Sequence, residues 1–507
     1  MNFIKQINRF LLKKIKHTYA ITVSKLKDIA AFLKSTLTGY IRDFKSGDIF
    51  VKLSLLFMSI GFFRRHQIIK GILFSIIQIA FILFMIFTGI PNLSKYNTLG
   101  TIQFESVYNP ITRRNEVNNY DHSFKILLYG LVSILVIVVY IYIHLKNIKT
   151  QRHLQLLEAE GRHINTFKED LIQLKDDRFH VTLLTLPVSG IVFFTIIPLL
   201  FMILVAFTNY DQLHMPPTKL FSWVGLRNFE ILLTTGSNTV TFGYAFRKVL
   251  TWTLTWAFFA TFLNYIGGII LALLINSKYT KMPKVWRTIF VITIAVPQFV
   301  SLLLVRHFFA DQGIMNTILS ADIPFMNDFS WVDLIRNMGL IKSNREFVPF
   351  LTDPVWSKVM LILINCWIGF PYVMLITTGV LMNIPKDLYE SAEIDGANKF
   401  QLFTKITMPF MLFVTAPYLI TNFVHNLNNF NVIYLLTSTR VTSNQLLANA
   451  NASDTDLLVT WLFKLTQDYY NYKMASVIGI MMFLLSAIFT LLAFNYTIKS
   501  NKEERFQ

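Results

Sequence analysis

Two groups of side chains in this sequence could do chemistry. The first is polar and lies inside apolar runs. At 100° per residue, Asn422, His425, Asn426 and Asn429 share one helical stripe about 100° wide, while Asn428 and Asn431 point elsewhere and serve packing. Asn365 and Tyr372, seven residues apart, share a face of an earlier run that also carries Trp367. Pro371 cannot donate to the Trp367 carbonyl, so that helix is expected to open there. Polar groups inside a membrane span face a bundle interior or a watery cavity, and interrupted helices near mid-membrane are where transporters hold cargo. Amides pair with hydroxyls and aromatic rings suit the apolar face of a sugar, so a neutral carbohydrate fits better than an ion or an amino acid. The bland reading is that these amides only join helices, at about 0.6–2 kcal/mol each.

The second group is the loop 382–410. A short helix is expected after Pro385, a sharp stop at Asp395-Gly396, and a second helix from about Lys399. Glycine supplies the backbone freedom for such a break. Ser391, Ala392, Gly396 and Ala397 are small enough for another surface to come close, and Glu390 and Glu393 offer it carboxylates. This is the chemistry of a docking knob.

Other chemistries find no support. The ten His show no metal-ligand spacing, no nucleophile–base or paired-carboxylate set stands out, and no Gly-x-x-x-x-Gly-Lys-Ser/Thr is present. Neither a catalytic site nor a metal site is expected, and nucleotide energy has to come from elsewhere. The only cysteine, Cys366, lies in an apolar run.

The elements that must position these groups are membrane helices. The chain has 507 residues, 53% hydrophobic and 15% charged, against roughly 25% charged in soluble proteins. Several apolar runs reach the roughly 20 residues that cross a bilayer. Eight spans are expected, over residues 68–90, 126–143, 181–207, 249–275, 288–305, 359–381, 411–436 and 475–493, in an all-α polytopic fold. The net charge of +18 is concentrated in a basic tail, residues 1–67, and beside the spans. That is the pattern of cations held on the cytoplasmic side rather than of nucleic-acid binding. With an even number of spans, both termini are expected in the cytoplasm, including the tail 498–507 with Lys499, Lys502 and Arg505.

No cleavable signal peptide is evident; the first span would serve as an uncleaved anchor. Phe3, Ile4, Ile7, Phe10, Leu11 and Ile15 recur at helical spacing among basic residues, as in a helix lying on anionic lipid, with a solvated tail as the alternative. Residues 53–63 are apolar but too few to span, so they are expected to lie in the interface or to re-enter. Residues 68–143 then form two N-terminal spans with an exterior loop, 144–180 a charged cytoplasmic hairpin, and 181–497 a six-helix core.

Glu390-Ser-Ala-x-x-Asp395-Gly396-Ala397, followed by Phe400, Phe403, Ile406 and Pro409, resembles the EAA loop of ABC importer permeases, with Ser391 where the first Ala is usual. Further segments extend the resemblance to the carbohydrate-uptake branch, nearest the maltose/maltodextrin permeases. These are residues 206–210, 223–229, 296–300, 313–316, 364–372 and 426–430. The resemblance implies a type I importer permease fold in the cytoplasmic membrane, with Glu390, Ala392, Asp395, Gly396 and Ala397 forming the helix that couples to an ATPase. It implies a sugar site at Trp367, Gly369, Tyr372, Asn422, His425, Asn426 and Asn429. Asn422 stands where Ser is usual and His425 where an aromatic is usual, which leaves the sugar open. The exterior loop 208–248 is too short for the large extra domain some of these permeases carry.

The implied partners are a second, related permease, two copies of an ATPase subunit that alone use ATP, an extracytoplasmic solute-binding protein, and membrane lipid. No cofactor is expected on this chain. The alternatives are another oligosaccharide or a sugar alcohol as cargo, an ion-coupled carrier, which would want an intramembrane charged pair, or a membrane-embedded transferase, which would want catalytic acids.

Overall fold

A computed structural model describes residues 28, 31, 38–234, 241–277, 279–322, 330–437 and 441–503, with the side chains of 495–503 left undescribed. The expected interfacial helix of the N-terminal tail lies outside these residues, as does Arg505. Among the described residues, seven helices are long and apolar enough to cross a membrane, and a bent pair makes an eighth when taken as one span. The chain divides into two compact units, residues 1–201 with 216–222, and residues 202–215 with 223–507.

In the first unit, the first span is Ile68–Ser94 and the second is Ser123–Ala159, a single helix of 37 residues. It runs well past the expected membrane boundary at residue 143, because nothing between Leu145 and Leu157 breaks a helix and both Asn147 and Gln151 are buried among partners. The two spans are joined by an antiparallel hairpin, Ser106–Asn109 paired with Arg114–Val117. Phe167–Lys175 follows, closed at its start by a capping box between Thr166 and Glu169. The third span, Phe179–Val205, begins in this unit and ends in the next.

The second unit holds the fourth span, Thr241–Ile275, packed along the sixth, Pro354–Met382. Glycines set their closeness: a Cβ on Gly268 would stand 2.4 Å from the Cβ of Val373. Trp252, Trp256 and Trp461 are buried, and each places its indole N–H on a backbone carbonyl, of Thr455, Asn426 and Ala450 respectively. A large buried ring with its one donor satisfied is a strong packing anchor.

Expectations about helix continuity are corrected at the sixth and seventh spans, and the fifth proves to be bent: Pro283–Ala295 and Gln298–Phe308 meet at 94°. The sixth span is not opened at Pro371, which lies within one continuous helix. The seventh runs on from the helix expected at about Lys399, passing through a π-turn at Phe403–Thr407, and is not continuous to residue 436: it is interrupted at Asn428-Asn429 before its last segment, Phe430–Leu436.

Candidate functional site: an uncharged intramembrane cavity and an exposed helical knob

The breaks in the fifth and seventh spans face one cavity of about 700 Å³, completed by the fourth and sixth. At the fifth span, Val296 takes extended backbone, the conformation preferred before proline, and Pro297 ends the helix. At the seventh, Asn429 leaves the helix and its side-chain oxygen accepts from Val432 N–H, starting the next segment.

All seven sugar-site candidates line this cavity, but they do different things. Asn426 and Asn429 are buried and spend their amides internally. Asn426 donates to the Thr261 hydroxyl (3.1 Å), and Asn429 donates to the Asn426 side-chain oxygen (3.3 Å). Trp367, Tyr372 and His425 are exposed to the space, and Asn422 is half-exposed. Gly369 permits a close approach: a Cβ there would lie 2.5 Å from the Asn264 carboxamide. The amide stripe is therefore partly helix-joining, at Asn426 and Asn429, and partly open, at Asn422 and His425.

Several lining residues were not singled out from sequence: Asn264, Gln298, Ser301, Tyr418 and Thr421. Asn264 carried a readable signal, a lone amide inside the apolar run 257–275. Asn264 and Asn365 are each 6% exposed, yet Asn264 Oδ1 and Asn365 Nδ2 have no hydrogen-bond partner among the described residues. Unpaired buried polar atoms are costly, and these two lie on residues of the cavity wall. Tyr372 and Tyr418 stand with ring centroids 6.0 Å apart at 42° and add aromatic surface. No Asp, Glu, Lys or Arg lines the cavity among the described residues. The arrangement can bind hydroxyl-rich neutral molecules by amide hydrogen bonds and ring stacking.

The second group forms a separate feature. Helix Lys386–Ile394 follows Pro385 and ends where Gly396 adopts φ +82°. Gly396 N–H donates to Glu393 C=O (3.0 Å) and Ala397 N–H to Ala392 C=O (2.9 Å), the Schellman pattern that a left-handed residue allows. Asn398 and Gln401 then cap the following helix reciprocally. The Tyr389 hydroxyl meets that of Thr407 (2.9 Å) and ties the knob to the base of the seventh span. Glu390 and Asp395 are exposed, Ala392 and Ala397 half-exposed, and Ile394 (86%) and Phe400 (73%) are exposed as well. A rigid knob with uncovered apolar tips is a surface shaped for a protein partner.

Broken helices around an uncharged polar cavity, with a rigid knob below them, define a polytopic solute permease. Residues 264–497 match the family of binding-protein-dependent transport system inner membrane components. The maltodextrin transport system permease protein MdxF of Bacillus subtilis is 34% identical over 447 residues, covering 88% of this chain and 94% of that protein. The galactooligosaccharides transport system permease protein GanP of Bacillus subtilis is 32% identical, covering 88% and 96%. The maltodextrin transport system permease protein MalC of Streptococcus pneumoniae is 31% identical, covering 86% and 92%. The chain belongs to this family: it is a multi-pass membrane permease subunit of a binding-protein-dependent ABC transport system, not an enzyme.

Proposed function

We propose that this subunit imports a neutral oligosaccharide of the maltodextrin class through the cavity bounded by the broken fifth and seventh spans. The observation that carries the reading is the chemistry of the wall: amide groups at Asn264, Asn365 and Asn422, aromatic faces at Trp367 and Tyr372, and no charged side chain among the described residues. The names of its relatives support a saccharide and divide between maltodextrin and galactooligosaccharide. Gly369, His425, Asn426 and Asn429 shape the same wall.

In this reading the chain pairs with a second, related permease. An extracytoplasmic binding protein delivers the sugar, and two ATPase subunits, the only users of ATP, push on the helix carrying Glu390, Ala392, Asp395, Gly396 and Ala397. The core 181–497 carries transport and both termini face the cytoplasm, in keeping with the basic flanks of the spans.

The test is accumulation of labelled maltotetraose and of a galactotetraose by the complete importer in liposomes. Trp367→Ala and Asn422→Ala should each lower maltotetraose uptake at least tenfold, with the complex still assembled. Uptake of both variants at the parental rate would remove the cavity from the pathway, and exclusive uptake of the galactoside would replace the cargo. Glu390→Lys should abolish transport-linked ATPase activity without changing sugar binding.

A further inference from the structure

The segment between Asp48 and Arg65 is apolar at its tip and charged at its base. Its two ends are clasped together: the Arg65 guanidinium, almost wholly buried, pairs with Asp48 (3.0 Å) and Glu158 (3.1 Å) and donates to Gln151 (3.1 Å). Between them stand two short helical turns, Ile49–Leu53 and Ile60–Arg64, joined by an irregular tip at residues 54–59. Val51, Ser54, Met58 and Phe62 face inward and are buried. Leu53, Leu55, Leu56 and Phe57 face outward, Leu56 at 64% exposure and Phe57 at 57%.

What holds the tip is informative. Met58 N–H donates to Gln78 Oε1 (3.0 Å), Gln78 Nε2 donates to the Leu56 carbonyl (2.6 Å), and Asn147 Nδ2 donates to the Met58 carbonyl (2.9 Å). Gln78 lies ten residues inside the first span, about 15 Å along a helix. That span runs from residue 68 to 94, and a membrane crossing takes about 20 of its residues. Every 20-residue stretch within it includes Gln78, so the atoms bonded to Gln78 lie at hydrocarbon depth. On the second span, the tip contact at Asn147 lies eleven residues nearer the membrane-embedded end than the base contact at Glu158, about 16 Å. Both helices therefore place the tip deep and the base shallow.

We infer that residues 49–64 form a re-entrant wedge whose Leu53, Leu55, Leu56 and Phe57 contact lipid acyl chains. The leaflet is the one at the N-terminal end of the first span, cytoplasmic in the orientation proposed above. Irregular backbone survives at membrane depth only when its polar groups are met by protein, and Gln78 and Asn147 meet them here. The wedge's outer face continues the lipid-side face of the first span at Ile72 and Ile76, both exposed. Lys52 and Arg64, exposed near the base, sit where cations meet headgroups. The wedge thus anchors the first two spans to the bilayer at a point unrelated to cargo.

The experiment places a nitroxide at Leu56→Cys, in a Cys366→Ala background, in the complete importer in liposomes. Collisions with lipid-soluble oxygen and with a water-soluble nickel chelate are compared. Oxygen should dominate at least fivefold, as at Ile72→Cys, with Leu171→Cys as the aqueous control. Dominance of the nickel chelate would make the tip a solvated loop. Shielding from both would mean that a protein covers it. Either result overturns the wedge. Gln78→Leu, or Asn147→Ala if the former is not recovered from membranes, should shift the label toward nickel at least twofold. An unchanged ratio would overturn the role of these amides in holding the tip at depth.

Discussion

Pro297 and Pro371 are two prolines in two neighbouring apolar spans, with opposite outcomes. At Pro297 the chain breaks and turns through 94°; at Pro371 the helix continues. Each lacks one N–H donor and disfavours helical backbone in the residue before it, so local chemistry does not separate them. Packing does. Phe370 is clamped against the fourth span, where a Cβ on Gly267 would lie 2.3 Å from its ring, and Val373 sits as close over Gly268. Moving Phe370 out of the helix would undo that contact. Val296 borders the cavity, is exposed, and is free to become extended. Of these two prolines, the one whose neighbours hold the helix stays within it, and the one beside the cavity stands at the break.

The largest way to break this contrast is to remove the clamp. Gly268→Val adds atoms where the nearest neighbours are the Val373 side chain and the Met374 backbone N at 3.1 Å, which cannot swing aside. Overpacking of this kind costs about 1–3 kcal/mol. The variant should melt several degrees lower in detergent, lose transport, and let Pro371 open the sixth span. Unchanged melting would mean that glycine closeness does not hold that helix.

The contrast also shows what can be read from residue types alone. Polar residues in an apolar run announce themselves individually, so Trp367, Tyr372, Asn422, His425, Asn426 and Asn429 could be gathered before any coordinates, and one cavity collects them with Gly369. The knob was readable for a similar reason: Gly396 at a positive φ and the Asn398–Gln401 cap are local in sequence. Which proline breaks its helix was not readable, since Gly267 and Phe370 are about a hundred positions apart along the chain. Nor was the bond between Gln78 and the 56–58 tip, because only the fold brings an eleven-residue apolar run against a span too distant for periodicity to connect.

A smaller effect is expected from the prolines themselves. Pro297→Ala restores a donor at the break and relieves Val296, so the fifth span can straighten across the cavity mouth. Maltotetraose uptake should fall about tenfold while melting stays within a degree or two of the parent. Pro371→Ala should leave uptake within twofold, because its helix is already continuous, and should raise the melting temperature, because an interior proline is replaced by a strong helix former. Equal losses in the two variants would mean that both prolines serve transport and that the open wall at Pro297 is not distinctive.

The smallest effect tests where clamp and cavity meet. Gly369 lies on the sixth span, and its virtual Cβ falls 2.5 Å from Asn264 Cγ, Nδ2 and Oδ1 alike. The neighbour here is the end of a side chain, not backbone, and it borders free volume, so the Asn264 amide can rotate away. Gly369→Ala should therefore cost far less stability than Gly268→Val, under about 1 kcal/mol by the usual tolerance of small adjustments. What it changes is the position of Oδ1, the acceptor without a partner among the described residues. The concentration of maltotetraose giving half-maximal uptake should rise a few-fold while the maximal rate holds, because a binding contact is displaced and the coupling helix is untouched. Asn264→Ala should give a similar rise, and adding it to Gly369→Ala should produce little more, since both changes act on one carboxamide. If the two rises multiplied instead, Gly369 would be acting on the sugar directly, and Asn264 would be a second, independent contact.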